Sequence, residues 1–130
     1  MSVFGNLFGG MLRQLYTFGS LRNTEDGFEF QLKNRLSSAE VKGIEGIRVD
    51  GEQIPLEHVL LIQGDEIMKA TELTPENPVH FPTGAEVTVR VTNHPPLAPG
   101  NHSIGIALNT SPFGMLKFKV EDTLEEVEAG

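Results

Sequence analysis

The sequence contains no cysteine among its 130 residues. Disulfide frameworks, thiolate metal sites and thiol catalysis are therefore excluded. Tryptophan is absent too, and the aromatic side chains are one tyrosine and eight phenylalanines. No apolar run approaches the roughly 20 residues of a membrane-spanning helix, and no basic leader precedes an apolar stretch at the start. We therefore expect a cytoplasmic protein with no membrane partner.

The net charge of −8 is concentrated at the end of the chain. The last ten residues contain five acidic ones, Glu121, Asp122, Glu125, Glu126 and Glu128. Without these five, 13 acidic residues stand against 10 basic ones. Acidic and basic residues therefore nearly balance in the rest of the domain, which lacks the basic face that binds nucleic acid. We do not expect a nucleic-acid partner. Residues 123–130 are predicted to be an acidic, flexible tail.

Short apolar runs alternate with 14 glycines and 8 prolines. The alternation over residues 17–22 predicts a first strand, followed by a turn at residues 23–27 that ends in Gly27, a residue that tolerates a positive φ. Phe28, Phe30 and Leu32 then alternate with polar residues, which predicts a second strand with one buried face. Asp50-Gly51 is a strong hairpin signal. Residues 66–82 predict a long connection with one short strand at Val79–Phe81. In all, seven or eight short strands at about ten-residue spacing predict an all-β protein, an antiparallel immunoglobulin-like or Greek-key β-sandwich over residues 17–122.

Residues 1–16 have a different pattern, with apolar side chains at the i, i+3, i+4, i+7 spacing of a helical stripe. The stripe consists of Phe4, Leu7, Phe8, Met11, Leu12 and Leu15. Three glycines interrupt it, and each destabilises a helix by about 1 kcal/mol. Two interpretations remain open for this apolar N-terminal arm: it covers its own sandwich, or it docks on a partner.

Three further side chains are candidates for contact with a partner. Arg22 and Arg35 flank the first predicted hairpin, and arginines can form bidentate bonds with carboxylates. Phe113 stands at a turn tip in Ser-Pro-Phe-Gly, where it either caps the core or projects into a partner. The predicted partner interface therefore comprises Phe4, Leu7, Phe8, Met11, Leu12, Arg22, Arg35 and Phe113.

The four histidines lack the spacing of a metal site. A sandwich could still bring His80, His94 and His102 together, so a stand-alone metal enzyme is one hypothesis. No nucleophile elbow or phosphate-binding glycine loop is present. The sequence therefore assigns no catalytic residue and no cofactor to this chain.

Several short motifs resemble a known family. They are Leu21-Arg22-Asn23, Gly27-Phe28, Asn34-Arg35-Leu36, Ile47-Arg48-Val49-Asp50-Gly51-Glu52, Pro99-Gly100-Asn101-His102 and Phe113-Gly114-Met115-Leu116-Lys117-Phe118. Their order is similar to that of the small β subunit of bacterial C-glycoside deglycosidases, formerly a domain of unknown function. The resemblance implies a β-sandwich paired with a larger (β/α)-barrel subunit that holds a divalent metal and cleaves 3-oxo-glycosides.

The leading hypothesis is thus a non-catalytic accessory subunit of a hetero-oligomeric carbon–carbon lyase in carbohydrate metabolism, which stabilises and caps its catalytic partner. The alternative is a self-associating β-sandwich that binds a sugar or peptide and forms a homo-oligomer through the N-terminal arm.

Overall fold

The protein forms two antiparallel β-sheets packed face to face in a computed structural model that describes residues 10–125. Residues 10–12 are helical. The strands are β1 (Arg22–Thr24), β2 (Gly27–Lys33), β3 (Ala39–Val49), β4 (Glu52–Gln53), β5 (Val59–Gln63), β6 (Glu66–Lys69), β7 (Val79–Phe81), β8 (Glu86–Val91), β9 (Gly100–Ser111) and β10 (Gly114–Leu124). Short 3₁₀ helices span Arg13–Leu15, Leu56–His58 and Ala70–Glu72. This architecture confirms the predicted all-β sandwich.

The first sheet has the strand order β1-β2-β8-β5-β6 and the second has β10-β9-β3-β4, with β7 also paired to β3. Alternate residues of each strand point into the space between the sheets. Side chains with almost no exposure there include Phe28, Phe30, Ile47, Ile54, Val59, Val89, Val91 and Ile104. Burying each such side chain contributes about 1.5–3 kcal/mol, so this core is the main source of stability.

Gly27 allows two strands of the first sheet to approach closely. A Cβ atom at this position would overlap the carbonyl oxygen of Val91 at the end of β8. The sequence predicted Gly27 as the turn residue that tolerates a positive φ. Its role in the structure is instead to leave room for the neighbouring strand.

The segment before β1 packs against its own domain. Leu12, Leu15 and Tyr16 belong to the buried core. Arg35 holds this segment from the side: its Nη1 donates to the carbonyl oxygens of Gln14 at 2.7 Å and Tyr16 at 3.2 Å. From residue 12 onward, therefore, the chain covers its own sandwich, whereas Phe4, Leu7 and Phe8 lie outside the described residues.

A buried carboxylate on the last strand fixes the same segment. Asp122 accepts a hydrogen bond from the Tyr16 hydroxyl at 2.7 Å, from the Gly19 amide at 2.9 Å and from the Leu21 amide at 3.2 Å. Burial, together with the bond to Asp122, raises the pKa of Tyr16 far above its usual range. Tyr16 therefore stays protonated and remains a hydrogen-bond donor.

A second buried carboxylate, Glu29, lies on the outer face of the first sheet between two arginines. Arg90 Nε donates to it at 2.8 Å and Arg22 Nε at 2.7 Å. Burial alone would raise the pKa of Glu29, but the bonds from Arg90 and Arg22 outweigh it and hold that pKa below its usual value. The charge is thus neutralised locally, as buried charges require.

Candidate functional site

The outer face of the second sheet carries a groove of about 580 Å³. Its floor is formed by the central strands β9 and β3, where Gly105, Ala107 and Gly46 have little or no side chain. The flanking side chains on β10 and on the β3–β4 hairpin are long. The groove therefore follows directly from the distribution of small and large residues over one face.

The pairing register brings cationic side chains from distant parts of the sequence to this groove. Lys119 pairs with Gly105, which pairs with Arg48, so the three form one row across the sheet. Neighbouring strands are about 4.8 Å apart, so the Lys119 and Arg48 backbones stand about 10 Å apart on either side of a glycine. Lys117 occupies the corresponding place in the next row, above Ala107.

Arg48 is held in place by its neighbours. Its Nη1 donates to the Gly51 carbonyl at 3.2 Å, and its Nη2 donates to the Gln53 side chain at 3.3 Å. A guanidinium group has five N–H donors in a fixed planar arrangement. Further donors therefore remain to bind a carboxylate or phosphate over the groove.

The groove also contains a carboxylate and an apolar end. Glu45 follows Ile44 at a register shift in the pairing of β3 with β9, and its side chain lines the groove. Met115 lines the groove on β10 and is 53% exposed. Three cationic groups against one carboxylate make this groove electropositive on a chain whose net charge is −8. The chemistry of this face suits an anionic ligand.

The structure does not bring the three candidate metal ligands together. Each histidine instead has its own carboxylate: His80 pairs with Glu40 at 3.0 Å, His94 lies 3.7 Å from Glu52, and His102 pairs with Asp50 at 2.6 Å. Among residues 10–125, no group of three or more His, Asp or Glu side chains could hold a metal ion.

The His102 ring joins a loop to a hairpin turn. Its Nδ1 lies 2.6 Å from Asp50 Oδ2, and its Nε2 lies 2.6 Å from the carbonyl oxygen of Ala98. The bonds to Ala98 and Asp50 raise the pKa of His102. The pKa of Asp50 is lowered, chiefly by the hydrogen bond with His102. With an acceptor at each ring nitrogen, the imidazolium form fits this position.

The predicted partner-interface residues are scattered over the described part of the chain. Arg22 bonds to Glu29, Arg35 holds residues 14–17, and Leu12 is buried in the core. Met11 is 46% exposed, and Phe113 is 50% exposed at the β9–β10 turn. The partner interface stays a prediction.

Sequence reasoning missed the groove itself. Lys117 and Lys119 alternate with the apolar residues Leu116, Phe118 and Val120 in the sequence. Their alternation marks one exposed face, but the register that places Arg48 beside them is a property of three strands. No local signal in the sequence carries that information.

Comparison with known families identifies the domain. A family model described as hydroxymethylglutaryl-CoA reductase, N-terminal domain, matches residues 11–125, which is nearly all of the described sandwich. The chain belongs to this family. No curated protein matches it. No helix within residues 10–125 is long and apolar enough to cross a membrane.

This assignment corrects the function predicted from the sequence. The C-glycoside deglycosidase resemblance was wrong, and with it the lyase activity, the carbohydrate role and the (β/α)-barrel partner. The assignment does not support the self-associating sugar- or peptide-binding module either.

The structure gives a physical reason for the error. Two of the motifs in that resemblance contain asparagines that bond to loop backbone: Asn34 donates to the carbonyls of Ser37 and Phe81, and Asn23 bonds to the carbonyl and the amide of Leu97. Such residues serve the sandwich, so their order reflects its turns and carries no information about a reaction.

Proposed function

We propose that this chain is an accessory domain of a reductase that acts on hydroxymethylglutaryl-CoA, and that its groove holds the anionic part of this thioester. The observation that carries the proposal is the Lys119–Gly105–Arg48 row, which places two cationic residues on either side of a glycine. The family match supports it, because the substrate in the family's name bears phosphates and a carboxylate.

The groove chemistry suits such a ligand for two reasons. Ammonium and guanidinium groups form charge-assisted hydrogen bonds with phosphate and carboxylate oxygens. The floor of Gly105 and Ala107 lets a ligand lie against the sheet, where the cations surround it and solvent screens them less. Arg48, already oriented by Gly51 and Gln53, loses less conformational freedom on binding than an unconstrained side chain would.

Calorimetry with hydroxymethylglutaryl-CoA tests this proposal. We expect Lys119→Gln to weaken binding about three- to tenfold, as the loss of one charged hydrogen bond at a partly exposed site should. The matched control is Lys69→Gln, which removes the same charge from β6 on the other sheet and should leave binding unchanged. Equal effects of the two variants, or no binding by the unaltered chain, would refute the groove as the site.

Salt provides a second test of the same site. Because the contacts are ionic, binding should weaken as ionic strength rises toward 1 M, where the screening length falls to about 3 Å. A salt-independent affinity would contradict an ionic contact. A cytoplasmic location is part of the proposal, and cell fractionation tests it.

A further inference from the structure

Phe18 is an exposed aromatic side chain in a hydrogen-bonded turn. It is 58% exposed, and its ring meets the buried Tyr16 ring edge to face at a centroid distance of 5.3 Å. An isolated exposed apolar residue needs no explanation. The turn that carries Phe18 does need an explanation, because several hydrogen bonds fix it.

The turn at residues 17–20 is fixed from several sides. The Ser20 amide donates to the Thr17 carbonyl at 3.2 Å, and Arg35 Nη2 donates to Thr17 Oγ1 at 3.0 Å. Gly19 has a φ of +88°, a value that favours glycine. The Gly19 amide, just after Phe18, donates to the buried Asp122 carboxylate at 2.9 Å. A buried carboxylate thus fixes the backbone directly beside an outward-facing phenylalanine.

Phe18 also lines a hollow of about 540 Å³ between this turn and β10. Arg13 and Lys119 supply positive charge to the hollow, and Glu121, which accepts a hydrogen bond from Asn101 Nδ2 at 2.9 Å, supplies one negative charge. Arg13 Nε donates to the Lys119 carbonyl at 3.2 Å, which uses a backbone acceptor on this edge strand. The hollow therefore combines an aromatic wall with two cations and one carboxylate.

Lys119 lines both the hollow and the groove. A protein seated in the hollow would therefore border the groove and any ligand held there. Outside the acidic end of the chain the charges nearly balance, so an acidic partner would approach most favourably at a cationic strip, which Arg13 and Lys119 provide.

From these contacts we infer that Phe18 is the anchor of a protein–protein interface. The partner is the catalytic part of the reductase in the proposed function, on which this inference rests, and it presents an apolar socket with carboxylates at its rim. Aromatic anchors that become buried on association dominate the affinity of many interfaces. An anchor on a fixed backbone loses less conformational entropy when it binds. The carboxylates of the socket would meet Arg13 and Lys119.

The test uses the purified catalytic domain of the hydroxymethylglutaryl-CoA reductase from the same genome and measures its affinity for the full chain. We expect Phe18→Ser to weaken binding at least about tenfold, as loss of an interface anchor does. Phe18→Leu should retain most of the affinity. The matched control is Ile67→Ser, which removes an apolar side chain that is 64% exposed on the other sheet, and it should bind like the unaltered chain.

Because Phe18 and Ile67 are both exposed, each variant should keep the melting temperature of the unaltered chain. An unchanged melting temperature shows that a loss of binding is not a loss of folding. If the unaltered chain binds and Phe18→Ser binds equally well, the anchor is refuted while the accessory role stands. If the unaltered chain does not bind the catalytic domain at all, the anchor and the accessory role both fall. Calorimetry with the thioester still tests the groove separately.

Discussion

The Tyr16 hydroxyl donates a hydrogen bond to the Asp122 carboxylate at 2.7 Å across a sequence separation of 106 residues. This bond ties the segment that leads into β1 to the last long strand, and the same carboxylate accepts the amides of Gly19 and Leu21. Both residues are buried. The pair therefore closes the sandwich at the edge where the chain enters it.

Asp122→Asn is expected to destabilise the protein by about 2–3 kcal/mol. An amide has one oxygen in place of two, so it leaves at least one of these buried donors without an acceptor, and an unpaired buried polar group costs about 1–3 kcal/mol. Urea unfolding of Asp122→Asn and of the exposed control Asp65→Asn measures the difference. A loss no larger than that of the control would contradict the structural role of Asp122.

The same contact explains why the first predicted strand was misplaced. The alternation after Thr17 predicted a strand over residues 17–22, whereas residues 17–20 form a turn and β1 spans Arg22–Thr24. The cause is a carboxylate about 100 positions away that binds the amides of Gly19 and Leu21. A local pattern cannot register a hydrogen-bond acceptor from the other end of the chain.

Strands with one side in the core were predictable, and a less regular edge strand was not. In β8 and β9 the buried residues alternate strictly, so period two was visible in the sequence. In β6, Met68 is only partly buried and Ile67 is 64% exposed, so the apolar residues are adjacent and the segment was interpreted as a connection. The short β7 was predicted at its observed bounds, Val79–Phe81.

Gly27→Ala is expected to destabilise the fold by about 2–4 kcal/mol, because its Cβ would overlap the Val91 carbonyl and β2 or β8 would have to move. Gly46→Ala is the matched control. A Cβ at Gly46 meets nothing within 4 Å, so this change should alter stability by less than about 0.5 kcal/mol. Thermal unfolding measures both variants, and Gly27→Ala should melt at the lower temperature. Equal melting temperatures would contradict the close approach of the two strands at Gly27.

The His102 contacts predict a pH dependence of the loop before β9. Because the folded pKa of His102 is raised, its contribution to stability is complete below the ordinary histidine pKa of about 6.5 and is lost as pH rises through the folded value. The lowered pKa of Asp50 acts in the opposite sense: its contribution is present above an ordinary value of about 4 and is lost as pH falls through the folded value. The pair therefore stabilises the fold most between these limits.

NMR titration of the His102 ring measures the first of these limits directly. In Asp50→Asn, which removes the charged acceptor, the His102 pKa should move back toward its ordinary value. Leu97 lies in the loop that the Ala98 carbonyl ties to the His102 ring. In the unaltered protein, hydrogen exchange of the Leu97 amide should therefore speed up as pH rises through the His102 pKa, by more than the intrinsic pH dependence of exchange. A His102 pKa at or below about 6.5 would contradict the two-acceptor arrangement.

The groove predicts opposite effects for two substitutions in its lining. Ala107→Leu fills the floor beneath Lys117 and should weaken binding of hydroxymethylglutaryl-CoA more than about tenfold by displacing the ligand from the sheet. Glu45→Gln removes the groove carboxylate and should strengthen binding about two- to fivefold by relieving like-charge repulsion. Neither side chain lies in the core, so each variant should unfold at nearly the unaltered temperature.

The matched control for Ala107→Leu is Thr88→Leu, which adds a leucine to the outer face of the other sheet and should leave affinity unchanged. The pair of groove variants is informative because a general disturbance of the fold would weaken binding in both. Only for a ligand that lies over Ala107, between Glu45 and the cations, does added volume weaken binding while loss of the negative charge strengthens it. If both variants changed the affinity for the thioester in the same direction, the thioester would have to bind elsewhere on the domain.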